Sequence, residues 1–480
     1  MMENTATDRQ SRVQKAIPIL LLTLGLFSCG GGGGGNDGAD AGATTNPPVA
    51  DDPISCDVSA EKEFVREVTN DWYLWYDELA DVDPADYDDA SAYLSALTAP
   101  LAVDGRDSGF SFLTTVPADT VSLSSGAYIG FGFRYAFDAT NAFRLSDIFE
   151  GGPAADAALR RGDKVAAIAI SGGEFESISE LAARDATLEE VFGAPELNVE
   201  RRFRIEREDQ IFDVTLLKRE LDIPAFAGEP LLISREGNDP IGYVHFRAFT
   251  ENAEPLLEEM ARAFRDAKVT DLIIDLRYNG GGLLSVAEQM LNIFAGELAQ
   301  GSESFRIAHN DKRVSENTSV NFFKPSVSLR PTRIAFIVSG ASASASELVI
   351  NSVAPYIDTV LVGSDTRGKA VGQYAFDQTG CDTRLRLVAF EVLNGEGQGR
   401  YYSGLVATGR FTLCPAEDDI TREFTDSNED SVKTALAWLN TSSCAATAVA
   451  ERTSSYKRLP LDWSLAKQPQ EIQGRSPWNQ

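Results

Sequence analysis

Three short stretches hold the side chains and glycines that could do chemistry together. In "SGASASASELVINSV" (339–353), serines alternate with alanines before the chain turns apolar-periodic. Ile350, Val353, Ala354 and Ile357 recur at helical spacing, which predicts a helix beginning near 344–346. A hydroxyl at that start would sit among free backbone N–H groups and the positive end of the helix dipole, where a developing anion is favoured. Serine at a helix start also serves as an ordinary cap. "RYNGGGLLSVAEQMLNIF" (277–294) places glycines 280 to 282 where a strand gives way to a helix, suited to an oxyanion hole or to a tight turn. "SDTRGKAVGQ" (364–373) sets Lys369 between small residues with Gln373 close behind, and read alone it also fits a surface loop.

Each stretch follows an apolar strand: "DLIIDL" (271–276), "RIAFIVS" (333–339) and "TVLVG" (359–363). Strands of this kind alternating with amphipathic helices predict an α/β core. In an open parallel sheet the carboxyl ends of the strands share one crevice, so a donor turn, a hydroxyl and an amine would meet there. That is the layout of a Ser/Lys hydrolase. The lysine works as a base only when neutral, which asks its ordinary pKa near 10.4 to fall by roughly 3 units, and desolvation in a cleft can supply this. His245, in "IGYVHFRAF", lies in a strand-like alternation and reads as a core or edge histidine. With only two histidines and no C-x-x-C spacing, a metal site has almost no ligands to draw on, and no cofactor is implied.

Upstream, residues 58–118 show helical spacing in Phe64, Val65, Val68, Trp72 and Leu74, read as a small helical domain whose aromatics form its core. From about 122 the pattern changes to short strands, "AYIGFGFRYA", "AFRLSDIFEGG", "DKVAAIAISG" and "FRIEREDQIFDVTLLKR", with a short helix "GPAADAALRRGD" among them. This order resembles a PDZ domain over residues 122–220. Gly130 and Gly132 can turn successive N–H groups inward as an anion nest, and Phe131 and Phe133 can line a pocket for a terminal side chain. Arg134, Arg144, Arg160 and Arg161 locally offset an acidic body. Ala158 stands where many PDZ relatives have glycine, a minor departure, since alanine is the better helix former.

With these motifs together, residues from about 60 to 440 resemble the carboxyl-terminal processing, or tail-specific, serine proteases. The resemblance implies a crotonase/ClpP-like α/β catalytic core over 221–444 with an inserted PDZ domain. It implies Ser344 as nucleophile, Lys369 as general base, Gln373 as the residue orienting the lysine, and N–H groups of Gly281 or Gly282 with Ala345 as the oxyanion hole. Substrates would be polypeptides with free C-termini. Some relatives carry an aspartate where this chain has Pro355, which leaves any supporting carboxylate open. Two other readings are a catalytically inactive PDZ peptide-binding lipoprotein and a crotonase-like enzyme acting on acyl thioesters. Retention of Ser344, Lys369 and Gln373 argues against the first, and a PDZ domain has no use in the second.

The N-terminus carries Arg9, Arg12 and Lys15 ahead of an apolar stretch too short to span a bilayer, so residues 1–28 read as a secretory leader. Its end, "LFSC", resembles a bacterial lipobox with Cys29 as the lipidated residue. The Gly-rich, acidic 29–57 then reads as a flexible tether, and 445–480 as a polar tail. The expected location is outside the cytoplasm, lipid-anchored to a bacterial membrane and facing the periplasm or the cell surface, with the outer membrane favoured. A formal net charge of -29 argues against nucleic-acid binding and leaves membrane attachment to the lipid. The cysteines beyond Cys29 allow three pairings; Cys381 and Cys414 flank a strand-like stretch and form the expected bridge. The acidic run 417–430 reads as a solvated connection into a last helix. Oligomeric state is not legible.

Overall fold

A computed structural model describes residues 55–124, 126–235 and 238–444. The leader, Cys29, nearly all of the tether and the 445–480 tail lie outside the described residues.

A six-stranded sheet organises residues 231–415, in the order Leu231–Arg235, Asn238–His245, Asp271–Asp275, Arg333–Val338, Asp358–Gly363, Leu413–Pro415. The first pair is antiparallel and every later pair parallel. Alternate residues face opposite layers, as the period of a strand requires. Leu272, Ile274, Ile334, Phe336 and Leu361 join one core with the helices Ala253–Asp266, Leu284–Ala295 and Ala345–Val353. Ile273, Ala335, Ile337, Val360 and Val362 join a second core under the helix Asp430–Thr441. Burial on both faces explains why these strands read as unbroken apolar runs. The register pairs Asp275 with Ile337 and Val338 with Gly363, so the segments after 275, 338 and 363 leave the sheet side by side.

A second sheet is antiparallel and built around the long strand Thr383–Asn394, which pairs with Phe112–Thr115, Val371–Asp377 and Glu303–His309. Residues 58–118, read as a small helical domain, pack onto this layer. Val65, Tyr73, Tyr93, Leu94 and Leu97 share one core with Val371, Leu385, Leu387 and Val388.

Between these parts, residues 128–221 form a β-unit with its own core. Its antiparallel sheet runs Phe133–Phe137, Phe143–Ile148, Lys164–Ile170, Glu200–Arg207, Gln210–Leu217. Its two ends pair with each other, Tyr128 opposite Leu221 and Gly130 opposite Arg219, which is the geometry of an insertion.

Several expectations are corrected. The disulfides are Cys56–Cys381 and Cys414–Cys444, with Cα–Cα distances of 5.8 and 5.2 Å, not Cys381–Cys414. Cys381 lies in the turn of the antiparallel hairpin beside residue 55, whereas Cys414 lies on the edge of the parallel sheet beside Val362; proximity in sequence misled because the two belong to different sheets. The acidic run is not simply solvated. Glu429 is fully buried, caps the last helix at Val432 N (2.9 Å) and binds Arg277, while Asp418 binds Arg161 and Arg277. Ala158 is not helical either: the helix spans only Pro153–Asp156, and Ala158 sits beyond it at φ 56°.

Position 158 is left-handed, exposed and costly for a residue with a Cβ, so glycine relieves strain while losing no buried surface. Ala158→Gly should therefore stabilise the chain by about 0.5 to 1 kcal/mol after the added unfolded-state entropy is set against it. A thermal unfolding midpoint at or below wild type would contradict this.

Candidate active site

The apolar run that begins after Ser344 forms the helix Ala345–Val353, and Ser344 is its N-cap at φ 58° and ψ −114°. A side chain held in that sparsely populated conformation stands out at a sharp elbow between strand and helix. The serines of "SASASE" are then told apart by their hydrogen bonds. Ser342 Oγ donates to Leu276 O (2.8 Å) and Ser346 Oγ to Asn279 O (3.0 Å), whereas Ser344 Oγ, fully buried, has no partner among the described residues. The two outer hydroxyls fasten the elbow to the neighbouring strand end, and the middle one is left free to react.

Glu347 fixes the elbow from below. Its carboxylate is fully buried and accepts from Ser344 N (2.9 Å), Gly368 N (2.7 Å) and Lys369 N (2.8 Å). Burial pushes its pKa up to about 7, against the pull of these hydrogen bonds. One carboxylate thereby ties the backbone of the serine elbow to that of the lysine segment, which arrives from a different strand. Pro355, with no carboxylate, takes no part in this.

Lys369 Nζ donates to Gln373 Oε1 at 2.5 Å and stands 5.1 Å from the Phe110 ring centre. Gln373 Nε2 in turn donates to Phe110 O. Burial lowers the Lys369 pKa to about 7, with Asp107 and Glu347 opposing the shift and Arg386 and Arg367 adding to it. Nζ is engaged with Gln373 rather than with Ser344 Oγ, so a change of side-chain torsion is needed to bring the amine to the hydroxyl.

The glycine turn abuts the elbow. A Cβ on Gly281 would lie 2.8 Å from Ser344 Cβ and 2.9 Å from Ala345 N, at φ +105°, so only glycine fits there. Asn279, fully buried, shapes the turn: Nδ2 donates to Phe246 O (2.8 Å) and Oδ1 accepts Gly281 N (2.9 Å). The Gly281 N–H is thus already engaged. Ala345 N opens the helix, where N–H groups have no intrahelical acceptor, and Gly282 follows in the same turn.

Other predicted residues lie elsewhere. His245 is buried with neither ring nitrogen hydrogen-bonded among the described residues, 3.9 Å from Asp275 and edge-on to Phe424; burial and the surrounding arginines hold its pKa well below the usual range. It is a neutral core histidine. Gly130, Phe131, Gly132 and Phe133 sit in the inserted β-unit, with both phenylalanine rings buried against Phe203 rather than lining an open pocket. Phe131 O accepts from Ala154 N and Gly132 O from Phe149 N, both at 2.9 Å. Of the four arginines, Arg134, Arg144 and Arg161 are committed to Asp147, Asp138 and Asp418. The sequence reading gave no role to Asp107, Phe110, Asn279 or Glu347. For Glu347 the signal was present, an acidic residue at the third helical position of an otherwise apolar run; for Asp107 and Phe110 nothing local gives it.

Residues 240–404 match the model of Peptidase family S41, and residues 60–112 match that of the Peptidase S41 N-terminal domain. Over 250 residues the chain is 23% identical to a Staphylococcus aureus protein named "Probable CtpA-like serine protease", covering 52% of this chain and 46% of that protein. A Staphylococcus epidermidis protein of the same name is 27% identical over 139 residues, covering 29% of this chain and 27% of the relative. The chain thus spans about half the length, or less, of the curated relatives it matches. A solved structure from Bacteroides fragilis, provisionally assigned to the S41 proteases, shares the fold with a TM-score of 0.63 at 22% identity, covering 79% of this chain and 97% of that one. Ser344, Lys369 and Gln373 therefore all lie within the segment that matches Peptidase family S41, in a mixed α/β fold, and the match to the Peptidase S41 N-terminal domain precedes it.

Proposed function

We propose that the chain is a serine endopeptidase of the carboxyl-terminal processing kind, using Ser344 as nucleophile and Lys369 as general base. The observation that carries this reading is the pairing of an unpartnered hydroxyl at a strained helix N-cap with a buried amine whose pKa has fallen to about 7. Ser344 Oγ attacks the scissile carbonyl carbon as its proton passes to neutral Lys369 Nζ. The oxyanion is met by Ala345 N–H and a glycine-turn N–H, that of Gly282 or, once it leaves Asn279 Oδ1, that of Gly281, which lies against Ser344 and Ala345. Collapse breaks the C–N bond, the lysine returns the proton to the leaving amine, and water, deprotonated in the same way, releases the acyl group. Gln373 holds the amine between turnovers.

The inserted unit at 128–221 has strand order, glycine loop and short helix consistent with a PDZ-like module that selects substrates by their C-terminus. The buried rings of Phe131 and Phe133 leave backbone N–H groups of the loop as the carboxylate donors. Export and attachment through a lipid on Cys29 complete the proposal and rest on the leader sequence.

Activity should rise with pH through about 7, because the base loses its proton there. Casein cleavage should be abolished by Ser344→Ala and by Lys369→Arg, since a guanidinium stays protonated. An arginine variant with near wild-type turnover would remove Lys369 from the mechanism. A substrate with an amidated C-terminus should be cut about tenfold more slowly than its free-acid twin if a charge-assisted interaction of about 1.5 kcal/mol is lost. Equal rates would leave a protease without tail selection.

A further inference from the structure

Part of the base's surroundings comes from residues some 260 positions away in sequence, in the segment "RDSGFSF". We propose that Asp107 is a positioning residue for the base, holding residues 107–111 so that the Phe110 carbonyl and ring set Gln373 and Lys369 in place. This rests on the assignment of Lys369 as the base.

Asp107 is almost fully buried and takes four donors. Phe110 N (2.7 Å) and Ser111 N (3.0 Å) bind one oxygen; Tyr73 OH (2.9 Å) and Ser111 Oγ (2.7 Å) bind the other. Ser111 Oγ also accepts from Val388 N at 3.1 Å, and Val388 is the β-partner of Gln373. The carboxylate therefore fixes the loop both to the N-terminal helices, through Tyr73, and to the strand pair that carries Gln373. From that position the Phe110 carbonyl accepts the Gln373 amide N–H, which decides that the amide oxygen, not the NH₂ group, faces Lys369. The opposite orientation would set donor against donor.

The charges facing Lys369 are Asp107 and Glu347, which favour its protonated form, and Arg386 and Arg367, which oppose it; Arg386 is itself bound by Asp119. Tyr73, which donates to Asp107, is itself faced by Arg106 and Asp104. Asp107 thus also keeps the buried lysine from losing its proton at still lower pH. Removing its charge moves the acid limb of the rate profile down, while loosening the loop slows turnover. A residue that only stabilised the fold would change the melting temperature and leave that limb in place.

The test is a pH–rate profile with kcat and KM separated, on the full chain, for wild type, Asp107→Asn, Phe110→Leu and Lys369→Ala. Asp107→Asn should shift the acid limb to lower pH by at least about 0.5 unit and lower the plateau kcat about tenfold, with KM within about twofold. Phe110→Leu keeps the carbonyl and removes the ring that favours the ammonium, so its limb should shift the same way by less. A folded Asp107→Asn protein with the wild-type limb and kcat would overturn the proposal. If that variant does not fold, Phe110→Leu decides, and a wild-type limb there overturns it. Full turnover by Lys369→Ala would instead remove the base assignment, an outcome the other variants do not mimic.

Discussion

The carboxylate of Glu347 accepts hydrogen bonds from Ser344 N, Gly368 N and Lys369 N inside a fully buried setting. Ser344 and Lys369 arrive on segments that leave two different strands, and a hydroxyl and an amine must be placed to within about half an ångström to cooperate. A flexible loop pair cannot meet that tolerance; three backbone donors converging on one side chain can. The same bonds hold Ser344 at φ 58°, a conformation the backbone resists. Desolvating a carboxylate is expensive, and the N–H donors offset part of that cost without supplying a counter-charge that would disturb the lysine.

The rest of the fold sets these groups in a dry place. Parallel strands buried on both faces bring three strand ends to one edge. The layer carrying Gln373 shares its core with the N-terminal helices, so the lysine is roofed by residues from a remote part of the chain. Burial is the largest cause of the fall in its pKa to about 7, and burial here requires that shared core. Cys56–Cys381 joins the start of the first helix to the hairpin that bears Gln373, a covalent link across the same contact.

What could be read from the sequence follows from how local each signal is. The parallel strands, the helix start at Ser344 and the glycine turn are encoded within a few residues by apolar runs and helical period, and the structure places them where those patterns put them. Asp107 and Phe110 act on residues far along the chain, and no spacing rule links them to Lys369. The disulfide partners depend on which sheet each cysteine joins, which the flanking residues do not reveal. The acidic run looked solvated because its buried partners, Arg161 and Arg277, are equally remote. At Ala158 the reason is the opposite: helix propensity has no bearing on a position whose backbone has already left the helix.

The most direct measurement of the central claim is the labelling rate of the chain by a fluorophosphonate, a reagent that phosphonylates activated serine hydroxyls with loss of fluoride, followed by mass spectrometry across a pH series. The account predicts a single adduct on Ser344, at a rate that rises through about pH 7 and falls to background in Lys369→Ala. An adduct on another serine, or a Ser344 rate indifferent to pH and to loss of the lysine, would contradict it.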